Sequence, residues 1–185
     1  PERSYKAFSA LPEEGRARAA EMDTVIGLSK DSQCILTLYS RPCKVQVCLL
    51  LPEKTSSAVA AALDMLERAI GKPLFQRLFG LVLTDNGCEF SDTEALERSA
   101  FHGTARTKVY CCDVRASQQK GGCERNHVEL RKLLPKGRGI SFDDLDGRDL
   151  AVVMSQLNSE PRPSLMGLSP TAMLEAADTE AAAAL

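Results

Sequence analysis

Residues 81–90 read Leu-Val-Leu-Thr-Asp-Asn-Gly-Cys-Glu-Phe, an aliphatic run that breaks into a turn carrying two acids. A short β-branched and aliphatic run stopped by Asn-Gly predicts a buried strand from Leu81 to Leu83. Asp85 then stands at the carboxyl end of a strand. In open α/β sheets that is where ligands and catalytic groups collect, because the strand ends open into a crevice. An Asp that merely starts a turn with Asn-Gly is the competing reading.

The rest of the chain supplies the elements of an α/β sheet. Glu21 to Leu28 predicts a strand with Glu21, Asp23 and Val25 on one face and Met22, Thr24 and Ile26 on the other. Gln33 to Ser40 and Lys44 to Leu51 predict two more, joined by a link short enough for a hairpin. Thr55 to Ile70 predicts a helix with Thr55 as its cap, Val59, Leu63, Leu66 and Ile70 as its buried stripe, and Gly71 and Pro73 as its stop. Ser91 to Ser99 predicts a short helix with Ser91 as cap, and Lys108 to Cys112 the last strand. That strand ends at a fourth acid, Asp113, which sequence alone leaves open as a site residue. From about Gly122 to Leu134 the pattern turns helical, with Glu124, His127, Val128 and Arg131 along one flank. A solvated face of mixed charge is the alternative for His127 and Arg131.

Beyond Pro135, residues 137–146 predict a loop, followed by a helix from Gly147 to Asn158 and another opened by Ser169-Pro170. The expected organisation is a lead-in or linker over 1–20, a core over 21–137 and a helical extension over 138–185. The Ala-rich tail from Glu180 is expected to fray.

Composition bounds the function. At 185 residues, 44% hydrophobic and 26% charged, the chain suits one well-cored domain. No apolar run approaches a membrane span, which reads as cytoplasmic. The seven cysteines include no Cys-x-x-Cys pair, and there are only two histidines, so idle thiols are expected rather than a disulfide or zinc framework. The chain opens at Pro1, as expected of a fragment. A formal net charge of −2 is too acidic for a free-standing DNA binder, whose affinity comes from Lys and Arg releasing counterions.

Two further acids stand in contexts that match Asp85: Asp23 in Glu21-Met22-Asp23-Thr24-Val25, and Glu124 in Gly122-Cys123-Glu124-Arg125-Asn126-His127, continued by Leu134-Pro135-Lys136-Gly137 and Ser141-Phe142-Asp143. Together with Thr84-Asp85-Asn86-Gly87-Cys88-Glu89-Phe90, these motifs resemble the catalytic core of DDE transposases and retroviral integrases, most closely the bacterial insertion-sequence transposases. The resemblance runs from about Glu21 to Leu174. It departs from the family pattern in the 38 residues between Asp85 and Glu124, in Arg125 after the third acid, and in the lack of any Trp.

The resemblance implies a ribonuclease-H-like fold, a mixed five-stranded sheet flanked by helices. It also implies an enzyme that cleaves DNA strands and transfers them, at element ends and target, with two Mg²⁺ or Mn²⁺ ions. Asp23 would be the shared metal ligand, and Asp85 and Glu124 would each complete one site. Such chemistry suits hard carboxylate ligands, since two divalent ions stabilise charge on both the attacking and the leaving oxygen. Asn86, Glu89 and Glu21 would orient the acids; His127, Arg131 and Lys132 would meet DNA. An upstream DNA-binding region and a homodimer are implied as well. The alternatives are a non-catalytic scaffold from a degenerate transposase, and a ribonuclease-H-like nuclease that cuts without joining.

Overall fold

The computed structural model describes residues 2–136 and 139–185; the expected start of the loop at Gly137, and with it the boundary drawn after 137, lies outside them. Five strands, β1 (Ala20–Ile26), β2 (Cys34–Ser40), β3 (Gln46–Leu51), β4 (Leu81–Thr84) and β5 (Lys108–Cys111), form one mixed sheet in the order β3-β2-β1-β4-β5. The first three pair antiparallel through short links, whereas β4 and β5 join parallel to β1 after helical crossovers. This is the α/β sheet expected from the residues.

Strand alternation sorts the two faces. Met22, Leu36, Leu38, Val47, Val82 and Val109 pack under α3 (Ser56–Ile70) and α4 (Lys72–Phe79), with Val59, Leu63, Phe75 and Phe79 in the same core. Thr55 caps α3 by accepting from the Ala58 N–H, as its position foretold. The helix α4 was not foreseen, because Gly71 and Pro73 read as a stop. Gly71 does break the chain, with φ at 81°, but Pro73 falls in the first turn of a new helix, where its missing N–H costs nothing.

On the other face, Val25 and Ile35 pack with Leu130 and Leu134 from α6 (Gly121–Leu133) and its C-terminal edge, and with Leu150, Val153 and Leu157 of α7 (Gly147–Ser159). Glu21 and Asp23 share this face, so the sheet presents them to α6.

Three expectations are corrected. The lead-in is no linker: it forms α1 (Tyr5–Ser9) and α2 (Glu13–Ala17), and α1 lies against β5, with Phe8 buried beside Tyr110 at 5.7 Å and the Cys111 N–H donating to the Arg3 carbonyl at 2.7 Å. The cap of α5 (Thr93–Glu97) is Asp92, whose carboxylate accepts from the Ala95 N–H, and not Ser91. The Ala-rich tail does not fray. After α8 (Pro170–Ala177) it forms α9 (Thr179–Ala184), whose Ala181 is fully buried and whose start is pinned by Arg77 on Asp178 and Glu180.

Candidate active site

Parallel pairing of β1 with β4 sets Ala20 beside Val82 and Glu21 beside Leu83; two residues further along, Asp23 in the middle of β1 comes next to Asp85, the residue just past the end of β4. The structure joins them through a cation. The Lys120 ammonium lies 3.0 Å from Asp23 Oδ2 and 3.5 Å from Asp85 Oδ2, and donates to the Met22 carbonyl at 3.2 Å. Lys120 itself is buried. Burial disfavours its charged form, but the Asp23 and Asp85 charges outweigh that and raise its pKa above the usual lysine value.

Each acid is held on its other oxygen. Asp23 Oδ1 accepts from the Thr24 N–H at 2.8 Å, and Asp85 Oδ1 accepts from the Gly87 N–H at 2.9 Å. A Cβ at position 87 would lie 2.5 Å from Glu89 Oε2 and 3.0 Å from Asp85 Oδ1, so a larger residue there would push on both carboxylates. The Asn86 amide donates to the Cys112 carbonyl at 2.6 Å, tying that turn to the end of β5.

Glu124 sits in the first turn of α6, exposed, and lines the same cleft as Asp23, Asp85, Asn86, Asp113 and Lys120, a cavity of about 290 Å³. What fixes the start of α6 is Glu21. Its buried carboxylate accepts from the Cys123 N–H at 2.7 Å on one oxygen and from Arg41 Nε at 2.8 Å on the other. Gly122 permits the approach: a Cβ there would stand 2.4 Å from the ring of Tyr39. Glu89, also buried, accepts from the Thr24 hydroxyl at 2.6 Å and pairs with Lys54 at 3.2 Å, linking the turn after β4 back to β1.

His127, Arg131 and Lys132 are not among the residues lining this cleft. His127 Nε2 lies 2.9 Å from the Thr37 hydroxyl, half-buried between α6 and the sheet, and burial lowers its pKa. The Arg131 guanidinium donates to the Ile26 carbonyl at 2.7 Å and rests over the Phe142 ring, which ties α6 to the end of β1. Lys132 is exposed and pairs with Glu129. Asp113, the fourth acid, also lines the cleft, and its carboxylate accepts from the Gln119 amide at 2.9 Å.

Sequence reasoning missed Lys120. A single lysine between the last strand and the helix that follows gives no sign in the sequence of where it points, and only the tertiary fold reveals that its ammonium reaches Asp23 and Asp85.

No protein-family model matches the chain. It is 29% identical over 154 residues to the transposase for insertion sequence element IS1086 of Cupriavidus metallidurans, covering 83% of this chain and 42% of that protein. It is 26% identical over 150 residues to the transposase for insertion sequence element IS4351 of Bacteroides fragilis, covering 81% and 42% respectively. The chain thus spans less than half the length of these two relatives. Among solved structures, the catalytic core domain of BIV integrase superposes with a TM-score of 0.57 at 17% identity, over 89% of this chain and 98% of that one. A chain of the simian T-cell lymphotropic virus intasome, solved with PP2A regulatory subunit B56 gamma, superposes with a TM-score of 0.55 at 13% identity, over 77% and 48%. The sheet is therefore that of an integrase catalytic core, the ribonuclease-H-like fold.

Proposed function

We propose that this chain is a core of the DDE transposase and integrase type, a reading its likeness to two insertion-sequence transposases and to an integrase catalytic core supports, and that it cleaves DNA strands at element ends and transfers them to a target, with Asp23, Asp85 and Glu124 as ligands of divalent metal. The observation that carries the reading is Lys120. Two carboxylates that already share one buried cation, at 3.0 and 3.5 Å, have the charge and spacing to share another, and Glu124 lines the same cleft. Hard carboxylate oxygens are the donors Mg²⁺ and Mn²⁺ take. When bound, such ions would polarise the scissile phosphate and stabilise charge on the attacking and leaving oxygens.

The chain's own residues supply position. The Thr24 and Gly87 amides fix one oxygen of Asp23 and of Asp85, leaving the other turned towards the cleft. Glu21 and Arg41 anchor the start of α6 and so set where Glu124 stands. Lys132 is exposed enough to meet a DNA phosphate. With a net charge of −2, the core alone grips DNA weakly, so a separate DNA-binding region supplies affinity and a homodimer handles the two ends.

The test is Mn²⁺-dependent nicking of plasmid DNA and joining of a labelled oligonucleotide. Asp85→Asn should lower both by about 10²-fold or more, the scale of losing one group that stabilises the transition state, while the melting temperature stays near wild type. Full activity in Asp85→Asn would overturn the assignment. Nicking without joining would favour a nuclease.

A further inference from the structure

Beside the three-acid cleft lies a donor set of a different chemical kind. Cys123 and His127 are four residues apart on α6 and so share a face. Asp23 and Thr37 are cross-strand partners on β1 and β2, and their side chains rise from the sheet towards that face. One ligand atom each from Asp23, Cys123 and His127 lies within 4.8 Å of the others, the one such group of three found among the described residues. Cys123 Sγ is 3.3 Å from His127 Nε2, and the Thr37 hydroxyl lies 2.9 Å from Nε2 and 3.6 Å from Sγ.

We propose that Asp23, Cys123 and His127 form a binding site for a borderline-soft transition metal of the Zn²⁺ class, distinct from the carboxylate cleft but sharing Asp23 with it. The spacing suits the ion. A tetrahedral Zn²⁺ with bonds of roughly 2.3 Å to sulfur and 2.0 Å to nitrogen holds those two atoms roughly 3.5 Å apart, close to the 3.3 Å found here. The donors suit it too: thiolate, imidazole and carboxylate select Zn²⁺ or Co²⁺, whereas Mg²⁺ takes oxygen donors alone. Water or the Thr37 hydroxyl completes the fourth position. On binding, the Cys123 thiol gives its proton to solvent, and the thiolate, the neutral imidazole and the carboxylate become the ligands. Cys123 is fully buried, so the ion enters by way of Asp23, which lines the open cleft.

The consequence is exclusion. Asp23 committed to a soft ion beside α6 is withdrawn from the shared position that strand transfer requires, so Zn²⁺ acts as an inhibitor. That consequence rests on the function proposed above; the site itself does not.

The test is a Co²⁺ titration of the intact chain, read by absorbance without DNA. Thiolate ligation gives a charge-transfer band in the near ultraviolet, and four-coordinate Co²⁺ gives intense visible bands. Both should be present in wild type and in Cys88→Ser, which removes an exposed thiol, and lost in Cys123→Ser and in His127→Gln. Circular dichroism checks that each variant is folded; if Cys123→Ser is not, His127→Gln decides. A wild type with no charge-transfer band, or a band that survives in folded Cys123→Ser or His127→Gln, would overturn the site. A second arm adds Zn²⁺ before Mn²⁺ in the nicking assay, with at least a tenfold higher Zn²⁺ concentration expected for half-inhibition of His127→Gln relative to its own uninhibited rate. Equal sensitivity would overturn the inhibitory role. A chain that never nicks DNA but still shows the band would sink the strand-transfer reading and leave the site standing.

Discussion

Lys120 does for Asp23 and Asp85, in the structure, what a metal ion is proposed to do in the reaction: it keeps two carboxylates from repelling each other. The repulsion it relieves is real, since Asp23 is largely buried and has little water to screen it, whereas Asp85 is nearly half exposed. Lys120→Met should therefore destabilise the metal-free chain by about 1–2 kcal/mol, less than the full cost of breaking a buried ion pair because Asp85 is wetted. Added Mn²⁺ should then raise the melting temperature of the variant more than that of wild type. Equal melting temperatures without metal would show that the two acids do not need the ammonium. The resemblance of the motifs around Asp23, Asp85 and Glu124 singled out the acids in the sequence. Lys120 stands outside those motifs.

Elements, rather than single contacts, decide whether Glu124 reaches the cleft. The start of α6 is set by Glu21 accepting from the Cys123 N–H and by Gly122 lying against Tyr39. Gly122→Ala would drive a methyl into a buried ring, an overpacking of the kind that costs about 1–3 kcal/mol. The expected outcome is a lower melting temperature together with weaker nicking, and wild-type values for both would contradict it. A second hub holds α3, α5 and β5 together. Arg106 is fully buried, pairs with Asp64 and Glu67, and donates to the Leu96 and Ala95 carbonyls. Removing one partner of a buried pair strands the other, so Arg106→Ala should cost about 3–5 kcal/mol in urea unfolding. A loss below 1 kcal/mol would contradict that role. The strands and the α3 helix were readable because their periodicity is strong. The short helix α4 was hidden by Gly71 and Pro73, and Arg106 by the fact that a basic residue in a loop gives no sign of burial.

For the whole molecule, the ends of the chain belong to the core. Arg3 reaches Glu97 at 2.7 Å, and Glu97 also accepts from the Val109 N–H at 2.9 Å, so residues before β1 are tied to both α5 and β5. Although burial pushes the Glu97 carboxyl upward, the Arg3 and Val109 hydrogen bonds win and hold its pKa below the ordinary carboxylate value. A lowered folded-state pKa stabilises the protein above the unfolded value, about 4.3, and that stability fades as pH falls through the folded value. Glu97→Gln should thus cost about 1 kcal/mol near neutral pH, a modest figure because Arg3 is partly exposed. The gap to wild type should close in acid. A gap independent of pH would point to packing rather than charge. Composition led to a linker reading for residues 1–20, since mixed charge with Pro and Gly lacks a period; the burial that holds them comes from Phe8 and Ala19, with Tyr5, Ala7 and Leu11 packed beside them.

That Asp23, Asp85 and Glu124 hold divalent metal is tested most directly by calorimetric titration of Mn²⁺ into the wild-type chain, Asp23→Asn and Asp85→Asn. The expected result is binding to wild type that is lost in Asp23→Asn and weakened by about tenfold or more in Asp85→Asn, the loss of one charged ligand being worth about 1.4 kcal/mol or more. Binding of the same strength in wild type and in both folded variants would contradict it.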